Sequence, residues 1–375
     1  MQATALIAAS FLALFLSAAA AGEKAPVYPE HQDLLYALDA SGAKHPVDSV
    51  DDWEVRRSHI LAHMQTVMGP LPTHGDPVPL EMQTVEEVTL APDDPVEGRR
   101  NARPAAGPLA RRKLTYHTDS PDRVVSAYLF LPHAPGKKLP AVLCLHQTVA
   151  IGKEEPAGLG DRENLQYALH LARRGYVTLA PDYPSFGEYE YDFSDPRYRS
   201  GTMKAIYDNL RAVDLLQSLE EVDPERIGCI GHSLGGHNTI FTAAFEPRIK
   251  AAVSSCGFTR FHKYYEGRLG GWTSDRYMPL IASRYGNDPD RVPFDFTEIV
   301  ASLAPRAFFA SAPVRDGNFE VSGVRDVIAA ARPIYALYGK ADNLQANYPE
   351  CAHDFPPDAR RVAYAFLDRH LKPRE

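Results

Sequence analysis

A short glycine-rich motif constrains the fold of this chain more than any other feature. It spans Gly231–Gly236, reads GHSLGG, and lies between an apolar strand-like run at 226–230 and an apolar helical segment that starts near His237. At a strand-to-helix junction of this kind the serine is held in a strained turn, because larger residues in place of the glycines would collide with the neighbouring strand and helix. The motif therefore predicts that Ser233 is exposed where a strand ends.

The pattern around this motif alternates between strands and helices. Short apolar strands separated by helices indicate the α/β class, with a mostly parallel central sheet covered by helices on both faces. The strands are expected at 124–131, 141–145, 176–180, 226–231, 250–255, 306–311 and 344–348. The helices are expected at 51–68, 163–174, 203–219 and 358–371.

The first residues of the chain have the character of a leader. Residues 1–21 contain an apolar run followed by small residues, which is typical of a signal peptide with a small-residue cleavage site. An uncleaved membrane anchor is the alternative, but the run is short for a span and lacks Lys or Arg before it. We expect a secreted or periplasmic protein with no stable membrane insertion after processing.

The remaining chain is expected to form one body with two additions. Residues 22–113 are interpreted as an N-terminal helix and edge-strand extension, and 114–375 as the main domain. A long insertion at about 258–302 is rich in aromatic residues, and a connection of this length is typically a functional lid. Phe258, Trp272 and Tyr277 are its candidate substrate-binding residues. A structural helical cap that touches no substrate is the alternative.

Charge and residue spacing exclude several classes of partner. The formal net charge of −8 provides no basic field for a phosphate backbone, so nucleic acid is not expected as a partner. No His or Cys spacing resembles a metal site and no glycine-rich phosphate loop is present, so neither a metal nor another cofactor is implied. Of the four cysteines, Cys144 and Cys229 lie in apolar strands and are expected as buried free thiols.

Serine is a weak nucleophile at neutral pH and needs a histidine base that is oriented by a carboxylate. With a serine in this kind of turn, the three catalytic residues follow one another along the chain in the order serine, acid, histidine. The candidate histidine is His353, which falls in the loop after the last expected strand. The acid should follow the penultimate strand, which selects Asp316. Asp342, which precedes the last strand, and Asp354, which neighbours the histidine, remain competitors.

The oxyanion of an acyl-transfer intermediate needs two preorganised hydrogen-bond donors. One is the backbone N–H of Leu234, the residue after the nucleophile. The second should come from the loop after Leu145, where the N–H of Gln147 or of Thr148 is the candidate, with Thr148 preferred. An ordinary strand-to-loop transition is the alternative for this segment.

Together these motifs resemble the dienelactone hydrolase and acetyl xylan esterase-like branch of the alpha/beta-hydrolase superfamily over roughly residues 114–372. The segments that carry the resemblance are Leu139–His146, the Ala180-Pro181-Asp182 turn, Gly231–Gly236, Asp316 and His353–Pro356. Dienelactone hydrolases proper use a cysteine nucleophile in a shorter cytoplasmic chain, so Ser233 and the leader argue against that activity. The helix that ends at Met68-Gly69-Pro70-Leu71-Pro72 is similar to that of exported bacterial carbohydrate esterases. The resemblance implies the alpha/beta-hydrolase fold and acyl or methyl esters on carbohydrates as substrates.

Three classes of function follow from these observations. The first is an exported serine hydrolase that cleaves carboxylic esters of small molecules or polysaccharides through an acyl-enzyme. The second is a serine peptidase of the prolyl-oligopeptidase kind, although the region before residue 114 is too short for the propeller that such enzymes usually carry. The third is a binding protein that has lost the chemistry, against which the ordered serine, acid and histidine argue.

Overall fold

The computed structural model describes residues 25–72, 78–91 and 108–372, so the expected leader at 1–21 lies outside the described residues. The strands, in chain order, are β1 (Tyr36–Leu38), β2 (Lys44–Pro46), β3 (Gln83–Leu90), β4 (Leu109–His117), β5 (Val124–Pro132), β6 (Leu139–Leu145), β7 (Val177–Pro181), β8 (Val222–His232), β9 (Ile249–Ser255), β10 (Ala307–Ser311) and β11 (Leu344–Asn347). The α-helices are α1 (Val50–Met68), α2 (Tyr167–Arg173), α3 (Gly201–Ser218), α4 (Leu234–Phe245), α5 (Leu280–Ser283), α6 (Phe296–Ser302), α7 (Val321–Leu337) and α8 (Pro357–Leu371).

Within these ranges, nine strands form one sheet in the order β11-β10-β9-β8-β6-β7-β5-β4-β3. The strands from β11 to β7 are parallel to their neighbours, whereas β5, β4 and β3 are added antiparallel at one edge. The expected α/β class with a mostly parallel sheet is confirmed. The boundary expected at residue 114 falls inside β4, because β3 and β4 belong to the same sheet as the main body.

Helices cover both faces of the sheet, and the alternation of side chains along the strands divides the core in two. On β6, Leu143 and Leu145 pack in the core shared with α1, α3, α4, α6 and α7. Val142 and Cys144, which point to the opposite face, pack with α2 and α8. Burial of β6 on both faces explains why its sequence is an unbroken apolar run.

The N-terminal helix agrees with its prediction and has a clear local cause. Ser49 caps α1 by accepting a hydrogen bond from the Asp52 backbone N–H, and the Asp52 side chain accepts one from the Ser49 N–H. This reciprocal capping box defines the start of the helix. Gly69, with φ of 92°, stands at its end. Among the described residues, no helix has both the length and the apolar character needed to cross a membrane.

The segment between β9 and β10 differs from a helical cap. It consists of short 3₁₀ turns at 261–267 and 269–272, the single turn α5, and α6 at its end. Between Asp316 and β11 the structure adds α7, a long helix that the sequence pattern did not reveal. Both pieces pack on the face that also carries α4.

Candidate active site

Ser233 lies in a strained turn between β8 and α4. Its backbone has φ of 52° and ψ of −117°, a conformation that residues with a Cβ atom rarely adopt. Its N–H donates to the carbonyl of Ser255 at 2.8 Å, which ties the turn to the end of β9. The turn lifts the side chain away from the sheet at the point where α4 begins. This is the local geometry expected from the GHSLGG motif.

The glycines of the motif are required by close approaches of the backbone. A Cβ atom at Gly231 would collide with the backbone of Gly235. A Cβ atom at Gly235 would collide with the carbonyl group of Leu145, the last residue of β6. The turn therefore closes tightly on itself and on β6, and it brings Ser233 beside the loop that follows Leu145.

His353 and Asp316 form a hydrogen-bonded pair near this turn. His353 Nδ1 lies 2.9 Å from Oδ2 and 3.0 Å from Oδ1 of Asp316. Asp316 Oδ1 also accepts the backbone N–H groups of Asn318 and Phe319, at 2.8 and 3.1 Å. The Asp316 side chain is 1% exposed and that of His353 is 21% exposed. A proton held on Nδ1 by the buried carboxylate leaves Nε2 of His353 available to accept another.

The two competing carboxylates have other surroundings. Asp354 accepts a hydrogen bond from the side chain of Asn164 at 2.6 Å. Asp342 lies in the 3₁₀ turn before β11. Asp316 is therefore the carboxylate that the structure brings to His353.

The side chain of His232 lies between the serine turn and His353. The ring of His232, the last residue of β8, lies 4.9 Å from the ring of His353. Burial lowers the pKa of His232 well below its usual range, so this ring is neutral. Within the described part of the chain Ser233 Oγ makes no hydrogen bond. Hydrogen bonds between nucleophile and base are commonly long until substrate is bound.

The loop after β6 is held by its own side chains. His146 is buried, and burial lowers its pKa, so the ring is neutral. Its Nε2 accepts the N–H of Tyr183 at 2.9 Å, which leaves the proton on Nδ1 to donate to the Gln147 carbonyl at 2.6 Å. In a trans peptide the next N–H, that of Thr148, points opposite to this carbonyl. His146 thus orients the peptide that contains the candidate oxyanion donor.

Further contacts hold both ends of this loop. The Gln147 side chain donates to Glu155 at 3.0 Å, and burial raises the pKa of Glu155. Burial also raises the pKa of Tyr277, and a side-chain hydrogen bond with Thr148 acts in the opposite direction. Leu234 is the first residue of α4, where backbone N–H groups have no partner within the helix. Leu234 directly follows Ser233, and Gly235 lies against the carbonyl groups of Leu145 and His146. Leu234 and the loop at 147–148 are therefore both beside the serine turn.

The three aromatic candidates of the insertion are placed differently from one another. Phe258 is 2% exposed and stacks on Phe296 at 5.6 Å. Trp272 is 3% exposed and its ring packs against His237 at 4.9 Å. Because both rings are enclosed by the core, the expectation that they stack on a substrate is corrected. Tyr277 is less buried than these two residues and lies beside Thr148 of the candidate oxyanion loop.

Cys256 is a neighbour of the pair that the sequence argument missed. Its Sγ, a donor atom of Asp316 and one of His353 all lie within 4.8 Å of one another. A soft divalent cation could be held by these three residues only by breaking the hydrogen bond between Asp316 and His353. Cys256 directly follows β9, and the rule that parallel strands end at one edge could have indicated it.

The chain matches one family profile and resembles several known proteins. A sequence profile described as "Prolyl oligopeptidase family" matches residues 163–372, the range that contains Ser233, Asp316 and His353. A relative from Bacillus subtilis named "Putative hydrolase YtaP" is 28% identical over 257 residues, which cover 65% of this chain and 83% of the relative. The 2,6-dihydropseudooxynicotine hydrolase of Paenarthrobacter nicotinovorans is 33% identical over 264 residues, which cover 70% of this chain and 59% of that protein.

Solved structures show the same fold. A glucuronoyl esterase from Solibacter usitatus superposes with a TM-score of 0.67 at 18% sequence identity, covering 93% of this chain and all of that one (100%). The expected resemblance to the alpha/beta-hydrolase superfamily and its esterase-like members is confirmed.

Proposed function

Because the chain belongs to the prolyl oligopeptidase family, we propose that it is a serine hydrolase and that its substrates are carboxylic esters. One observation carries the proposal: the His353–Asp316 hydrogen bond lies beside the strained turn that presents Ser233. A serine in such a turn, a histidine oriented by a buried carboxylate and backbone donors at a helix start are the parts that acyl transfer requires.

The proposed reaction has two halves. Ser233 Oγ attacks the ester carbonyl carbon while His353 Nε2 takes the hydroxyl proton, and Asp316 stabilises the resulting imidazolium. The oxyanion accepts hydrogen bonds from the N–H of Leu234 and from that of Thr148 or Gln147. The C–O bond to the alcohol then breaks, and His353 returns the proton to that leaving group. Water, deprotonated by His353, attacks the acyl-enzyme, and Ser233 is restored with release of the acid.

Esters carried by carbohydrates are the substrate class that we propose. The support is the likeness of the fold to a protein named glucuronoyl esterase over nearly the whole chain. We also propose that the protein is exported, because the apolar and small-residue pattern of residues 1–21 is typical of a signal peptide. An exported enzyme would meet polymeric carbohydrate outside the cell.

The name of the family favours a second candidate, a serine peptidase. Both activities would use Ser233, Asp316 and His353 in the same roles, so the site geometry supports each of them. The likeness of the fold to a glucuronoyl esterase, over 93% of this chain, favours the esterase.

Kinetics on two substrates separate these candidates. We expect the protein without residues 1–21 to hydrolyse p-nitrophenyl acetate, and Ser233→Ala to lower kcat by about 10³-fold or more. Ser58→Ala, which removes an exposed hydroxyl on α1, is the matched control and should retain activity. Turnover of a Gly-Pro anilide in preference to the ester would select the peptidase. Full activity of folded Ser233→Ala would overturn the serine mechanism.

A further inference from the structure

Arg276 places a positive charge beside the oxyanion loop. Its side chain is exposed, and its guanidinium lies 4.7 Å from the centre of the Phe186 ring. Its Nε donates to the hydroxyl of Ser185 at 2.8 Å, which fixes the direction of the side chain. The next residue, Tyr277, lies beside Thr148 of the candidate oxyanion loop. The guanidinium is therefore held at the edge of the site rather than free in solvent.

The ring beneath this arginine connects it to the reaction centre. Phe186 packs edge-on against His146 at 5.6 Å between ring centres. Phe186 and Leu234 also belong to one small buried cluster, against which Tyr277 packs. The Phe186 ring thus contacts both the Arg276 guanidinium and His146, the residue that orients the candidate oxyanion loop.

Arg162 approaches the site from another segment. It is exposed in the loop before α2, and two residues later Asn164 donates to Asp354, the neighbour of His353. Burial dominates the lowered pKa of His232, and the charge of Arg162 acts in the same direction. Burial raises the pKa of Glu155, and the charge of Arg162 opposes that rise. Arg162 is therefore an exposed cation in the segment that contacts Asp354.

Neither arginine is neutralised within the protein. In residues 25–72, 78–91 and 108–372, neither Arg162 nor Arg276 forms an ion pair, and the aspartate that precedes each of them is not bonded to it. Other arginines of the chain do pair with carboxylates, as Arg123 does with Asp119 and Asp195. Arg276 therefore keeps an unpaired guanidinium in a chain with a formal net charge of −8.

We propose that Arg276 binds a free carboxylate on the substrate, apart from the ester that is cleaved. A guanidinium matches a carboxylate with two parallel hydrogen bonds, and the contact is stronger than one between neutral groups. The substrate class is therefore an ester that also carries an acidic group, such as a saccharide with an uncapped uronic acid. This inference rests on the proposed ester-hydrolase function and specifies which esters the enzyme prefers.

The test compares two esters that differ only in one charge. Mono-p-nitrophenyl adipate and p-nitrophenyl hexanoate share a six-carbon acyl chain, and only the adipate ends in a carboxylate. We expect the wild-type protein to favour the adipate in kcat/KM. Arg276→Gln should lower the adipate-to-hexanoate ratio by roughly tenfold, mainly through KM of the adipate. Arg276→Lys, which keeps the positive charge, should restore part of this ratio.

Controls separate this inference from the function on which it rests. Arg369→Gln removes the same charge from an exposed position on α8 and should leave the ratio unchanged. Added salt should reduce the wild-type ratio, because exposed charges are screened. Hydrolysis of both esters with an equal preference, or a ratio unaffected by Arg276→Gln, would overturn the arginine proposal alone. Failure of the folded wild-type protein to cleave either ester would instead reject the ester-hydrolase function.

Discussion

His146 shows how one side chain determines the geometry of the candidate oxyanion loop. Related loops often have glycine after the histidine, whereas this chain has Gln147. The backbone is instead held by the neutral ring, which accepts from Tyr183 and donates to the Gln147 carbonyl. Because this hydrogen bond sets the direction of the adjoining Thr148 N–H, we assign His146 a positioning role in the proposed reaction.

Removal of that hydrogen bond gives a prediction at the residue scale. We expect His146→Leu to lower kcat for p-nitrophenyl acetate by about 10- to 100-fold with little change in KM, because oxyanion donors act mainly in the transition state. His146→Asn can still donate to the Gln147 carbonyl and should recover part of kcat. Steady-state kinetics with circular dichroism as a folding control would check this. Equal losses in His146→Leu and His146→Asn would contradict a positioning role.

Glu298 on α6 joins three elements that are far apart in the chain. Its two carboxylate oxygens accept hydrogen bonds from His31 Nδ1 and from Nη2 of Arg56 on α1, each at 2.7 Å. All three side chains are buried. The N-terminal segment and α1 are thereby attached to the end of the insertion. A buried carboxylate tolerates the loss of a charged partner poorly.

The titration of His31 gives a prediction at the element scale. Burial lowers the pKa of His31, but the charge of Glu298 and its hydrogen bond outweigh burial, and the net pKa is raised. A raised pKa in the folded state stabilises the protein fully below the unfolded-state pKa, near about 6.5, and this contribution is lost as pH rises through the folded-state pKa. The stabilising effect of His31 should therefore be larger at about pH 5.5 than at about pH 9.

Urea unfolding of wild type and His31→Gln at these two pH values measures the effect. The difference in free energy of unfolding between the two proteins should be greater at the lower pH. His133→Gln, an exposed substitution outside this network, should show no such trend. A difference for His31→Gln that grows with pH would refute the assigned sign.

The elements that the sequence predicted best are those whose apolar residues form a continuous strand-length run or recur at helical spacing. Strands β6 and β8 and helix α1 are found where their apolar patterns placed them. Helix α7 was not expected, and it contains Gly323 and Pro333, which interrupt a helical pattern. The insertion has glycines at 267, 270 and 271 and adopts short turns instead of a helical cap.

At the scale of the whole molecule, the sequence predicted the order of the site but not its surroundings. Ser233, Asp316 and His353 follow the carboxyl ends of β8, β10 and β11, as the parallel sheet requires. The buried positions of Phe258 and Trp272 could not be foreseen, because aromatic composition does not reveal which residues cover them. Arg276 lies in a loop, and only the folded chain brings its guanidinium against Phe186.

The central claim is that Ser233 is the nucleophile of this fold, and covalent labelling tests it most directly. A fluorophosphonate should add once to the folded protein, and peptide mass spectrometry should find the adduct on Ser233. His353→Ala should label far more slowly, because the hydroxyl would lack its base. An adduct on another residue, or undiminished labelling of folded Ser233→Ala, would contradict the account.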